Sequence, residues 1–292
     1  MTGPARRERF PPWLKKSLPA GAAGRRVRDV VDELALKTVC RSALCPNIGE
    51  CFHKGTATFL IMGPVCTRRC RFCAVAGGSG APLEPDEPER IASAADRLGL
   101  SHVVVTSVTR DDLDDGGARH FARVIEALRR RTGATVEVLV PDFAGAEASV
   151  RTVVEAGPDV FNHNVETVER LYPAVRPGAD YRRSLDVLAA AHDMDAALVT
   201  KSGMMVGLGE TLEEVEGVFA DLLDAHTAVV TVGQYLAPGR DHLDVQRFVE
   251  PGEFEVIERR ALEMGFRAAA AAPFVRSSYC AAEVFRRGAC HG

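Results

Sequence analysis

From residue 55 onward, short β-branched or apolar runs alternate with longer stretches whose apolar residues recur at helical spacing, the mark of repeated βα units. Six runs read as strands: Thr58 to Met62, His102 to Ser107, Thr135 to Val140, Asp159 to Asn162, Ala197 to Val206 and Ala228 to Gln234. Phe121, Ile125 and Leu128 form a helical stripe after the second strand. Leu212, Val215, Phe219 and Leu222 form one after the fifth. Phe254 to Met264 repeats the pattern with Ile257 and Ala261, and Gly265 follows as a C-cap. The pattern predicts an α/β fold, a curved, incomplete barrel with its helices outside. Residues 1–54 and 267–292 do not fit the repeat and are expected to be extensions capping the barrel, which itself spans 55–266.

Composition changes this picture little. The 292 residues are 46% hydrophobic and 26% charged, the balance of a folded enzyme-sized chain. The net charge of -4 hides an uneven distribution, because residues 1–29 hold eight Lys or Arg against Glu8 and Asp29. Pro4, Pro11, Pro12 and Pro19, with Gly21 and Gly24, predict an extended or disordered basic arm, either a solvated tail or a dock for an acidic partner. No window approaches the roughly 20 apolar residues of a membrane helix. Arg6, Arg7 and Arg9 lack the apolar stretch of a signal peptide. A cytoplasmic, reducing location is expected, with no membrane or nucleic-acid partner, and there clustered cysteines are metal ligands or catalysts.

Six of the eight cysteines form two trios, Cys40-x4-Cys45-x5-Cys51 and Cys66-x3-Cys70-x2-Cys73. A closed zinc site takes four protein ligands, whereas a cubane held by three thiolates leaves one iron open. The second trio directly follows the first strand, which places it at the C-terminal face of a barrel, where active sites lie. Read alone, its last two cysteines also suit a zinc knuckle or a redox pair. Thr106, Ser107, Arg110 and Asp111, and Asn162, His163, Asn164 and Glu166, follow other strands toward the same face. They suit either helix caps or ligands of a cofactor.

With Phe72 before its last cysteine, the second trio resembles the CxxxCxxC loop of the radical S-adenosylmethionine (SAM) enzymes. Gly203 to Glu210 is similar to that superfamily's GxIxGxxE segment, with Met205 at the apolar position. The first trio with its Pro46-Asn47-Ile48-Gly49-Glu50 interior, the second trio, and Arg276-Ser277-Ser278-Tyr279 together resemble the lipoyl synthase family from about Lys15 onward. The resemblance implies a partial (β/α)6 TIM-like barrel of the radical SAM type. It implies two 4Fe-4S clusters: a SAM-binding one on Cys66, Cys70 and Cys73, and an auxiliary one on Cys40, Cys45, Cys51 and an oxygen of Ser277. Ser278 is the alternative oxygen. Cys280 stands where the family has His and competes as a ligand, although Cys280 and Cys290 are expected to be ordinary thiols. Phe72, Thr106, Ser107, Asn162, Asn164, Gly207, Glu210 and Arg276 are the implied cofactor contacts, with Tyr279 beside the auxiliary cluster.

The implied activity is that of a sulfurtransferase, adding sulfur at C6 and C8 of an octanoyl-lysine on a carrier protein. The implied carriers are the E2 lipoyl domains of 2-oxoacid dehydrogenases and the glycine cleavage H protein. A low-potential electron donor and iron-sulfur cluster delivery proteins complete the implied partners. The alternatives are another two-cluster sulfur- or methylthio-transferase and a non-enzymatic two-cluster electron carrier.

Overall fold

The structure, a computed structural model, describes residues 10–15, 22–53, 57–278 and 281–283. Tyr279, Cys280, Cys290 and the first nine residues of the basic arm lie outside the described residues.

The chain enters through α1 (Ala22–Glu33), α2 (Val39–Ser42) and α3 (Ile48–His53) before β1 (Thr58–Ile61). Two short strands, β2 (Val65–Cys66) and β3 (Ala76–Gly77), pair in parallel as a small separate sheet. Then α4 (Glu87–Leu98) leads to β4 (His102–Ser107), α5 (Ala118–Arg131) to β5 (Thr135–Leu139), and α6 (Glu147–Glu155) to β6 (Val160–Asn162). After α7 (Tyr172–Val175) and α8 (Tyr181–Met194) comes β7 (Val199–Val206), then α9 (Leu212–Asp224), β8 (Val229–Gln234), α10 (Pro251–Met264) and β9 (Ala268–Ala272). The main sheet runs β1-β4-β5-β6-β7-β8-β9, every pair parallel, so each helix crosses back over one sheet face. β1 and β9 do not pair, and the barrel is open.

All six expected strands form, within two residues of their expected ends. α5 buries Phe121, Val124, Ile125 and Leu128, as its stripe requires, and burial of a side chain like Phe121 is worth roughly 2–3 kcal/mol. α9 buries Val215, Phe219 and Leu222, but Leu212, in its first turn, is 41% exposed and leaves the stripe.

Three expectations need correction. The Ala-rich stretch is a seventh strand rather than an extension: Gly265 caps α10, and Ala268–Ala272 pairs along β8 from Val229 to Gly233. Alanine has weak strand propensity, but its small side chains let this edge lie against α10 and the barrel interior. The expected boundary at 266 therefore falls between a helix and the strand it delivers. Residues 22–29 are helical rather than extended. Val27, Val30 and Val31 of α1 pack into the same core as Phe59, Ile61 and Ile91, so residues 22–53 are part of the barrel's own core. Thr38 bridges Phe59 in antiparallel fashion and covers part of the β1 edge.

Candidate active site

β1 ends in a left-handed turn at Met62 and Gly63 (φ 66° and 92°), which aims the chain into the second trio at the C-terminal mouth of the sheet. The β2–β3 pair closes the trio's loop at its base, where Gly78 N donates to the Cys66 carbonyl at 2.9 Å. Neighbouring loops fasten the rest. Thr67 N donates to the Thr109 carbonyl at 3.0 Å and Arg71 N to the Val175 carbonyl at 2.9 Å, while His242 Nε2 meets the Cys73 carbonyl at 3.1 Å. Arg68 grips two carboxylates at once, Asp111 at 2.8 and 2.9 Å and Asp142 at 2.9 and 2.6 Å. Burial pushes the Asp142 carboxyl up, but the bonds from Arg68 outweigh it and hold it at about 2. The Arg68 charge is thus committed to the two carboxylates. Arg110 is likewise tied to Asp112, at 2.7 and 2.8 Å.

Cys66, Cys70 and Cys73 form no disulfide. Cys66 Sγ accepts from Thr109 N at 3.3 Å and Arg68 N at 3.4 Å, and Cys73 Sγ from Val75 N at 3.5 Å. Burial pushes the Cys70 thiol up and that of Cys73 to about 11. Half-buried sulfurs, two of them met by backbone donors, with no fourth cysteine in the loop, fit a cluster with one open iron, because N–H···S bonds stabilise the ligated thiolate. Among the described residues no three His, Cys, Asp or Glu side chains gather to hold a single metal ion. A cubane makes a different demand, one iron for each thiolate.

The three cysteines line a cavity of about 480 Å³, and Cys45 and Ser277 line the same cavity. In the first trio Cys40 is buried in α2, Cys51 is half-buried in α3, and Cys45 lies in the turn between; Cys45 N donates to the Cys40 carbonyl at 3.1 Å. Burial pushes the Cys40 thiol up. Asn47 Nδ2 donates to the Phe274 carbonyl at 2.6 Å and ties this turn to the C-terminal segment. That segment reaches the mouth because two glycines leave room. A Cβ on Gly203 would stand 2.7 Å from Ser277 Oγ, and one on Gly233 would collide with the Val275 carbonyl. Ser277 Oγ donates to Asn164 Oδ1 at 2.8 Å. Ser278 lines the cavity too, so both candidate hydroxyls are present. Arg276 is half-buried, and burial lowers its pKa while Cys45 and Glu166 oppose the shift.

Of the expected cofactor contacts, Phe72, Thr106, Ser107, Asn164 and Arg276 line this cavity. Asn162, Gly207 and Glu210 are not among its lining residues. Asn162 is wholly buried and donates to Glu137 at 3.1 Å. Glu210 folds back on its own turn, accepting from Gly207 N at 2.5 Å and Leu208 N at 2.9 Å. Gly207 has φ 96°, and a Cβ there would lie 2.5 Å from the Arg247 carbonyl, so its close approach is to the protein's own backbone. The buried pair Glu137 and Lys201 and the buried Arg176 escaped the reading of the sequence. Lys201 lies 2.8 Å from Glu137 Oε1, and Arg176 donates to the Asn164 carbonyl at 3.0 Å and faces Cys70. The available signal was an ionisable residue inside an apolar strand run, Lys201 in β7 and Glu137 in β5, which a strand covered on both faces does not carry without a partner.

Residues 60–222 match the radical SAM superfamily, whose members use SAM and a 4Fe-4S cluster, and residues 2–45 match the N-terminal domain of lipoyl synthase. Among solved structures, HydG, a hydrogenase maturase, covers 84% of this chain and 62% of its own at TM-score 0.58 and 14% identity. Methylornithine synthase covers 88% of each chain at TM-score 0.51 and 14% identity. These two share the fold. The lipoyl synthase of Caldanaerobacter subterraneus subsp. tengcongensis is 56% identical over 93% of this chain and 95% of its own. That of Desulfotalea psychrophila is 53% identical over 95% and 93%. With this identity along nearly the whole length, and with Cys45 of the first trio lining one cavity with the second trio, the chain belongs to the lipoyl synthase family of the radical SAM superfamily.

Proposed function

We propose that the chain acts as a lipoyl synthase on an octanoyl group amide-linked to a lysine of a carrier protein, adding sulfur at C6 and C8. One observation carries the reading: Cys66, Cys70 and Cys73, together with Cys45 and Ser277 from distant parts of the chain, line one cavity of about 480 Å³. In this reading Cys66, Cys70 and Cys73 hold the SAM-binding cluster, and Cys40, Cys45, Cys51 and Ser277 hold an auxiliary 4Fe-4S cluster. When bound, these groups supply radical hydrogen abstraction at an unactivated carbon and the sulfur that replaces the hydrogen.

The chain's own residues bind, orient and exclude. Arg68, held by Asp111 and Asp142, fixes the loop of the second trio against the barrel. Phe72 packs with Tyr235 and Leu208 beside it. Leu60, Val108 and Leu139 give the cavity an apolar wall suited to an alkyl arm, and such a wall keeps out water that would divert the reaction. Asn164 and His163 stand on the polar side. The His163 Nδ1–H donates to the Val140 carbonyl at 2.8 Å, leaving Nε2 as an acceptor without a partner among the described residues.

The E2 lipoyl domains of 2-oxoacid dehydrogenases and the glycine cleavage H protein are the proposed carriers, with a low-potential electron donor and iron-sulfur cluster delivery proteins as further partners. Among the described residues no helix is long and apolar enough to cross a membrane. A reducing compartment such as the cytoplasm suits the thiols. Mass spectrometry of an octanoyl-lysyl peptide after anaerobic turnover is the test. Gain of two sulfurs is expected, with two hydrogens lost only once the dithiol is oxidised in air to the cyclic disulfide; an unchanged peptide alongside SAM cleavage overturns the substrate assignment.

A further inference from the structure

Lys201 sits in the middle of β7, 2% exposed, and Glu137 in β5 is 0% exposed. Barrel interiors are filled by branched apolar side chains, and a buried ion pair is a poor way to gain stability. This pair is also tied to more than itself. The Lys201 ammonium donates to Glu137 Oε1 at 2.8 Å and to the backbone carbonyl of Ser277 at 2.6 Å. Glu137 accepts in addition from Asn162 Nδ2 at 3.1 Å, with His102 Nε2 at 3.4 Å. Burial pushes the Glu137 carboxyl up, and Lys201 with His102 outweighs it and holds it at about 2. The Glu137 carboxylate thus aims the ammonium, one of whose hydrogens is spent on a turn far along the chain.

The Ser277 peptide needs that anchor. Its segment leaves β9 and crosses the sheet over Gly203 and Gly233, with no strand or helix of its own to satisfy its carbonyl. Asn47 holds the Phe274 carbonyl from the side of the first trio, and Lys201 holds the Ser277 carbonyl from below. Between these anchors the Ser277 hydroxyl bonds Asn164 Oδ1 and lines the same cavity as Cys45.

We propose that Lys201 is a positioning residue for the auxiliary-cluster site, fixing the Ser277 backbone through its carbonyl so that the hydroxyl would be presented to the cluster. Glu137 acts through Lys201 by orienting its ammonium. The inference rests on Ser277 being the oxygen ligand.

The test uses the double variant Lys201→Met/Glu137→Gln in the full chain, reconstituted anaerobically. Lys201→Met alone strands a buried carboxylate and is expected to fold poorly, whereas removing both charges keeps the core satisfied. The double variant should retain the thermal midpoint of the native chain and the cluster of Cys66, Cys70 and Cys73. It should lose the Mössbauer signal of the oxygen-ligated iron. Amide exchange over residues 274–278 should quicken about tenfold or more, the factor expected when a charge-assisted bond is lost. Retention of that iron signal, or unchanged exchange, overturns the proposal. Ser277→Ala separates the two ideas: if it keeps the oxygen-ligated signal, the ligand assignment falls, and the exchange rate still decides whether Lys201 holds the segment.

Discussion

His163 shows how a single residue's setting decides its chemistry. Burial lowers its basicity from 6.5 to about 4, with the Arg176 charge adding to the effect. The folded chain therefore keeps the imidazole neutral while the unfolded chain protonates it at the ordinary value. Stability from this group is fully present above about 6.5 and is lost as pH falls through that value toward about 4, because the unfolded state then binds the extra proton. Urea midpoints across that window should fall in the native chain and fall less in His163→Gln; identical slopes would remove His163 as the source. The strand-end position of His163 was legible in the sequence, but its tautomer was not. Only the Val140 carbonyl, 2.8 Å from Nδ1, leaves Nε2 as the acceptor. Glu210 makes the opposite point. Its place in a Gly-rich motif suggests a cofactor contact, yet its carboxylate closes its own turn by accepting from Gly207 and Leu208.

Elements were legible where one signal dominated. Thr211 accepts from Glu214 N at 3.2 Å while the Glu214 carboxylate accepts from Thr211 N at 2.9 Å, a capping box that starts α9 immediately after the Gly-rich turn. Thr211→Ala should cost about 1 kcal/mol in urea unfolding, with SAM cleavage retained. A loss within error would mean that the tertiary packing of α9, and not its cap, sets the start of the helix. β9 was hidden because five alanines carry neither the alternation of a half-buried strand nor the bulk of a buried one. It becomes a strand because α10 and Gly265 return the chain alongside β8, where the Ala228 carbonyl receives Arg267 N at 2.9 Å. Its propensity is overridden by a neighbour already in place.

At the scale of the molecule, the N-terminal helices share the barrel's core and bring Cys45 to the mouth from one side, while the chain beyond β9 brings Ser277 from the other. Of the basic arm ahead of them, Phe10 packs against the Phe248 ring at 5.7 Å and Leu14 is buried. Removing residues 1–12 should weaken carrier binding at low salt and spare SAM cleavage, since exposed charges act over about one Debye length, roughly 10 Å at moderate salt. Carrier affinity that does not change on truncation would refute a docking role. The sequence by itself determined the repeated βα order, the two unequal trios and the C-terminal serine pair, because periodicity, ligand type and spacing are local properties of a chain. Tertiary structure alone decided that Cys45, the second trio and Ser277 face one cavity, that Arg68 is committed to two carboxylates, and that Lys201 reaches the Ser277 carbonyl. Those facts join residues far apart in sequence, and such contacts exist only once the sheet has curved and brought its strand ends together.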